Sequence, residues 1–130
     1  MEKTRNATVE EKVSDLKYLS DTMDGNKQLI KEVIEVFLKQ APEELSKLNS
    51  AVEKSDYASV RSLSHTMKSS ASIMGISSVA NILNELEELG KNSSSIERIR
   101  LLNVDLNSII KQAIQEIEKE KSNFTVFGKR

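Results

Sequence analysis

Along most of the chain Leu, Ile, Val and Met recur at spacings of three and four with polar residues between them. That is the period of an amphipathic helix, and no stretch shows the alternation of a half-buried strand. A first helix opens at Thr8-Val-Glu-Glu11, where the threonine can cap free N–H groups and the glutamate can reach back. It runs through Val13, Leu16, Leu19 and Met23 to a turn at Asp24-Gly25-Asn26. A long second helix carries Leu29, Ile30, Val33, Ile34, Phe37, Ala41, Leu45, Leu48 and Val52 on one face. Pro42 lacks the N–H that would reach the Leu38 carbonyl, which predicts a kink or a break into two segments near Ala41. Asp56 caps a third helix, whose stripe of Val60, Leu63, Met67, Ala71 and Met74 is stopped by Gly75. A fourth follows at once with Ile76, Val79, Ala80, Leu83, Leu86 and Leu89, and Gly90 closes it. Ser94-Ser-Ile-Glu97 is a second capping box, opening a helix with Ile96, Ile99, Leu102, Leu106, Ile109, Ala113 and Ile117. Beyond Lys121 the period stops, and residues 122–130 read as a tail or as a short segment docked through Phe124 and Phe127.

Helices with one apolar stripe and short connections bury those stripes most simply in an antiparallel four-helix bundle. The expected fold is all-α, with a short additional N-terminal helix. A single domain spans 1–130, its bundle over about 8–121. Val60, Leu63, Met67, Phe37 and Leu106 are expected in the core.

Composition removes several classes of function. With 19 Lys+Arg against 20 Asp+Glu and no basic block, nothing favours nucleic acid. The absence of Cys and the single His exclude a disulfide framework and a Cys-based zinc site. No run of 18 apolar residues is present, so no membrane span is expected, and the default location is cytoplasmic. A di-iron carboxylate bundle needs two Glu-x-x-His pairs, whereas residue 62, three before the only His, is Ser. No Gly-rich nucleotide loop occurs among the four glycines, which argues against an autonomous kinase.

The candidate chemistry is the lone imidazole. At about 100° per residue, His65 points roughly 160° away from the stripe of the third helix and faces water. Arg61, Ser62, Lys68, Ser69 and Ser72 share its side of the helix, so two cations and three small hydroxyl residues surround the ring. Serine is a mediocre helix former, yet six of the 14 residues from Ser59 to Ser72 are Ser, a density that suits small polar side chains around His65. The Glu85, Glu87 and Glu88 cluster reads as an ordinary solvated face.

The run His65-Thr-Met-Lys68-Ser-Ser-Ala-Ser-Ile-Met-Gly75 resembles the signature of histidine-containing phosphotransfer (HPt) domains: His, two residues, Lys, Gly or Ser, Ser, then Gly ten residues after the His. The similarity extends to Asp15-Leu16, Phe37-Leu-Lys-Gln-Ala-Pro-Glu43, Ser55-Asp56-Tyr57 and Leu86-Glu87, covering most of residues 13–91. The resemblance implies a phosphoryl carrier of two-component phosphorelays, with His65 as phosphoacceptor and Lys68 neutralising the phosphoryl charge. Arg61, Ser62, Ser69 and Ser72 would support the site or border a docking partner. Ser69 stands where the family most often has Gly. The implied partners are response-regulator receiver domains or a hybrid sensor histidine kinase. The implied divalent metal belongs to the receiver, so this chain is expected to carry no cofactor and to act as a monomer without autonomous kinase activity. Met1 and a complete bundle point to a free-standing protein rather than the end of a hybrid kinase. The competing expectation is a helical adaptor that uses no chemistry.

Overall fold

The computed structural model describes residues 13–128, with side chains through Lys121. Among these residues five α-helices follow one another: α1 (Leu16–Thr22), α2 (Lys27–Glu53), α3 (Tyr57–Ile73), α4 (Ala80–Asn92) and α5 (Ile96–Gly128), with one 3-10 turn at Ser77–Val79 before α4. Among the described residues there is no strand. Around the bundle α2 packs on α3, α3 on α4, α4 on α5, and α5 closes back on α2, while α1 lies against α2. The connections from α2 through α5 are three to six residues long, so successive helices run antiparallel. Among the fully buried core side chains are Leu19, Ile34, Leu48, Val60, Leu83, Leu86, Ile99 and Leu106.

Local signals set most boundaries. The Asn26 side chain accepts from the Leu29 N–H to start α2, and Asp56 accepts from the Ser59 N–H to start α3. Helix α1 starts later than expected. Residues 13–15 are not helical and Asp15 is its N-cap, accepting from Tyr18 N–H, whereas the Thr8–Glu11 capping box lies outside the described residues. The stretch before α1 is tied to α5 instead. The Glu116 carboxylate accepts from Val13 N–H, Ser14 N–H and Ser14 Oγ–H at 2.7–3.1 Å. Burial pushes this carboxyl up, but these bonds and one from Gln112 outweigh it and hold it below the ordinary carboxylate range. At α5 the cap is Ser95, whose Oγ accepts from Arg98 N–H, one residue later than the expected Ser94. The backbone of α5 stays helical through Gly128, past the expected end at Lys121.

Several expectations about the core are corrected. Of the kink or break expected near Ala41, the break does not occur: helix α2 runs as one element through Pro42. Pro42 is exposed, so the Leu38 carbonyl it leaves unpaired is on the solvent side, and the buried series Phe37, Ala41, Leu45 and Leu48 stays in register. Leu29 is exposed and Ile110, not Ile109, is the fully buried member of its pair. Most tellingly, Leu63 is only half-buried and its neighbour Ser64 takes the inward position, fully buried with an Oγ that has no hydrogen-bond partner. An unpaired buried hydroxyl costs about 1–3 kcal/mol, and Ala is a better helix former by a few tenths. Ser64→Ala should therefore raise stability by about 1 kcal/mol, seen as a higher denaturant midpoint with unchanged slope. A midpoint below the wild type would show that the hydroxyl is satisfied.

Gly90 does not close α4. It is buried inside the helix, which ends two residues later with Ser93 in the left-handed conformation. A Cβ at position 90 would sit 2.8 Å from the Arg61 amide nitrogen and 2.8 Å from the Tyr57 carbonyl oxygen, so the missing side chain is what lets α3 and α4 approach. Gly75, by contrast, ends α3 as expected. Its φ of +68° suits glycine, and a Cβ there would meet Asp15 at 2.7 Å as the N-terminal segment crosses it.

Candidate functional site

Helix α3 buries Val60, Ser64, Met67 and Ala71, which turns the adjacent His65 toward solvent in mid-helix. Its side chain is 70% exposed. Lys68, three residues on, shares that flank and is about one-third exposed. Helix α4, held close by Gly90, buries Leu83 and Leu86 and so presents Asn84 and Glu87 to the same flank of α3.

These four side chains form one hydrogen-bonded group. Glu87 Oε2 lies 2.8 Å from His65 Nδ1, and Glu87 Oε1 lies 2.6 Å from Lys68 Nζ. Lys68 Nζ also donates to Asn84 Oδ1 at 3.0 Å. The bond from Lys68, then that from His65, hold the Glu87 carboxyl below the ordinary carboxylate range. The arrangement thus offers an accessible imidazole with one ring nitrogen engaged, beside an ammonium fixed by two acceptors.

Arg61, Ser62, Ser69 and Ser72 are exposed on α3, but none of their side chains joins this group. Ser72 lines a groove with Lys68, Asn84, Asp15, Tyr18 and Gly75 at the α1 end of the site. Ser62 lies on the other side, at a shallow cleft between α2 and α3 with Lys47, Lys54 and Leu63. The expectation that Glu85, Glu87 and Glu88 are an undifferentiated solvated face is corrected. Glu87 belongs to the site, Glu85 forms a two-pronged pair with Arg98 of α5 at 2.7 and 3.0 Å, and Glu88 alone is simply exposed. Among the described residues no three His, Asp or Glu side chains gather as a metal-binding cluster, and no helix is long and apolar enough to cross a membrane.

The bundle with its exposed mid-helix imidazole and paired lysine falls in a known family. The Hpt domain model matches residues 32–120, more than half of the chain, and the chain belongs to that family. Its members are phosphoryl carriers of two-component signalling, not kinases. A solved structure, histidine-containing phosphotransfer protein B (HptB) from Pseudomonas aeruginosa PAO1, superposes with a TM-score of 0.77. It is 20% identical, and the match covers 85% of this chain and 96% of that one, a likeness of fold. No curated protein sequence matches the chain significantly.

Proposed function

We propose that His65 accepts a phosphoryl group from the aspartyl phosphate of one receiver domain and passes it to the aspartate of another. The observation that carries this reading is the 70% exposed imidazole in mid-helix with the Lys68 ammonium on the same flank. Phosphoryl transfer asks a protein for an in-line nucleophile and for charge neutralisation at the moving oxygens, and for little else. A ring lone pair forms the N–P bond as the P–O bond to the receiver aspartate breaks, its electron pair returning to the carboxylate. Lys68 offsets the phosphoryl charge, and the divalent cation is the receiver's contribution. On this reading the domain acts as a cytoplasmic monomer with no cofactor of its own.

Incubation with a radiolabelled phosphorylated receiver should transfer acid-labile label to this chain, located on His65 by mass analysis. No transfer to this chain from a panel of phosphorylated receivers would overturn the reading. Ser69 supplies a test of the docking face. It is exposed one turn beyond His65, where a receiver must approach, and its side chain is short. Ser69→Arg should reduce transfer severely while leaving stability within about 0.5 kcal/mol, as expected for a surface change. Transfer at the wild-type rate in that variant would show that partners approach from elsewhere.

A further inference from the structure

Resting on the reading of His65 as the phosphoacceptor, we infer that Glu116 of α5 is a positioning residue for receiver docking: it fixes the first turn of α1 as one wall of a groove that the receiver covers when its aspartyl phosphate reaches His65. Glu116 Oε1 accepts from Val13 N–H at 3.1 Å, from Ser14 N–H at 3.0 Å and from Ser14 Oγ–H at 2.7 Å. Its Oε2 accepts from Val13 N–H at 3.1 Å and from the Gln112 side chain at 2.8 Å. Bonds to a carboxylate are roughly twice as strong as those between neutral groups. Gathered on two consecutive residues, they clip the N-terminal segment to a helix that lies 103 positions further along the chain.

Helix α1 needs such a clip. It has seven residues, and isolated helices shorter than about 12–15 residues are marginal in water. Leu19 anchors its middle in the core, and the Gly25 N–H bond to the Ser20 carbonyl closes its far end before α2 begins. Its first turn is held less firmly. Leu16 is only partly buried, and Asp15 N–H donates to the Met74 carbonyl at a long 3.3 Å. Asp15 must stay in place to cap α1 by accepting from Tyr18 N–H, and the shortest bonds near it are those of Glu116 on the residues just before.

That turn borders the reaction. Asp15 and Tyr18 line a groove with Ser72, Lys68 and Asn84, so the groove runs from α1 to the ammonium that offsets the phosphoryl charge. A protein–protein interface of standard size takes about 800 Å² from each partner, a disc of roughly 16 Å radius. Ser72 lies only about 10 Å from His65 along α3, at 1.5 Å per residue. A receiver centred on His65 therefore covers the groove, and with it Tyr18, whose exposure is 48%. A frayed first turn would have to be ordered as the receiver binds, so apparent affinity falls in proportion to the fraction of time the turn is formed. The chemical groups are spared, because His65 and Lys68 take their partners from α4.

The test compares wild type, Glu116→Ala and Glu116→Gln with two donors. One is a purified phosphorylated receiver that labels the wild type, and the other is potassium phosphoramidate, a P–N donor too small to need the groove. Amide hydrogen exchange at Tyr18 and Leu19 reports the first turn of α1, and exchange at Met67 reports the bundle. Alanine is the best helix former, so Glu116→Ala should leave Met67 exchange unchanged while Tyr18 and Leu19 exchange faster. With the receiver as donor, KM should rise about tenfold, as for a turn formed roughly one-tenth of the time, and kcat should stay within about twofold of wild type. Uptake from phosphoramidate should also stay within about twofold. Glu116→Gln keeps a carbonyl for the bonds that Oε1 accepts and should restore most of the lost affinity. In Glu116→Ala, a receiver KM within about twofold of wild type, a raised KM without faster exchange at Tyr18 and Leu19, an equal slowing with both donors, or loss of the folded bundle would each overturn the inference and leave the carrier reading intact. Absence of label on His65 in the wild type, with phosphoramidate and with every phosphorylated receiver tried, would overturn the carrier reading itself, and this inference with it.

Discussion

Replacing His65 by glutamine is expected to abolish phosphoryl uptake while the domain stays folded. Glutamine is polar, of similar reach and compatible with mid-helix, and it replaces a side chain that is 70% exposed. Surface changes of this kind alter stability by no more than about 0.5 kcal/mol. What glutamine removes is the chemistry. An amide nitrogen has its lone pair delocalised into the carbonyl and does not attack phosphorus, and no second His exists in the chain to substitute. The expected result is a circular dichroism spectrum and melting temperature like those of the wild type, with no acid-labile label from any phosphorylated receiver. Acid-labile label retained by the variant would sink the assignment of His65.

The features readable in the sequence are the ones set locally. Helix existence followed from the three- and four-residue period, and the start of α3 from a side chain that reaches an N–H three residues on, Asp56 to Ser59. Asn26, read only as part of a turn, also caps α2 by accepting from Leu29 N–H. The outward direction of His65 was equally local, because helical geometry alone turns it away from Val60, Met67 and Ala71. What the sequence hid depends on a second helix. Ser64 and Leu63 are neighbours near the edge of the stripe, and hydrophobicity favours Leu63 for the inward position. The tight approach of α4 to α3, set by Gly90 against the Tyr57–Arg61 turn, goes with the smaller side chain inside.

The same dependence explains why Glu87 was missed. Three glutamates occur within four residues of α4, and each is an ordinary choice for an exposed helix. Only the register of α4 against α3 decides that Glu87 meets His65 and Lys68 while Glu85 turns toward Arg98. A sequence signal did exist: Asn84 and Glu87 are three apart and each follows a buried leucine, which places both on one flank of the core stripe. That spacing names a flank but not the residues facing it. Gly90 was read as a terminator because glycine near a helix end usually is one, and here the close approach of another backbone is the stronger reason.

Gly90→Ala is therefore the substitution with the largest expected effect on stability, and two effects oppose each other in it. Alanine in a helix interior is favoured over glycine by roughly 1 kcal/mol. Against that, its Cβ would press on Arg61 N and Tyr57 O at 2.8 Å, the two backbone partners of one hydrogen bond in the first turn of α3. Neither atom can move without shifting α3, and overpacking of this kind costs about 1–3 kcal/mol, occasionally more. Contact with backbone belongs at the upper end of that range, so a net loss of about 2 kcal/mol is expected, lowering the melting temperature by roughly 8 °C for a domain of this size. Gly90→Leu should lose more. The strain also lies one turn from the site, since Arg61 precedes His65 by four residues and Gly90 follows Glu87 by three. Pushing α3 off α4 should also lengthen the 2.8 Å contact between His65 Nδ1 and Glu87 Oε2. A melting temperature at or above the wild type would mean that helix propensity alone governs position 90 and that the approach of α3 to α4 is looser than 2.8 Å implies.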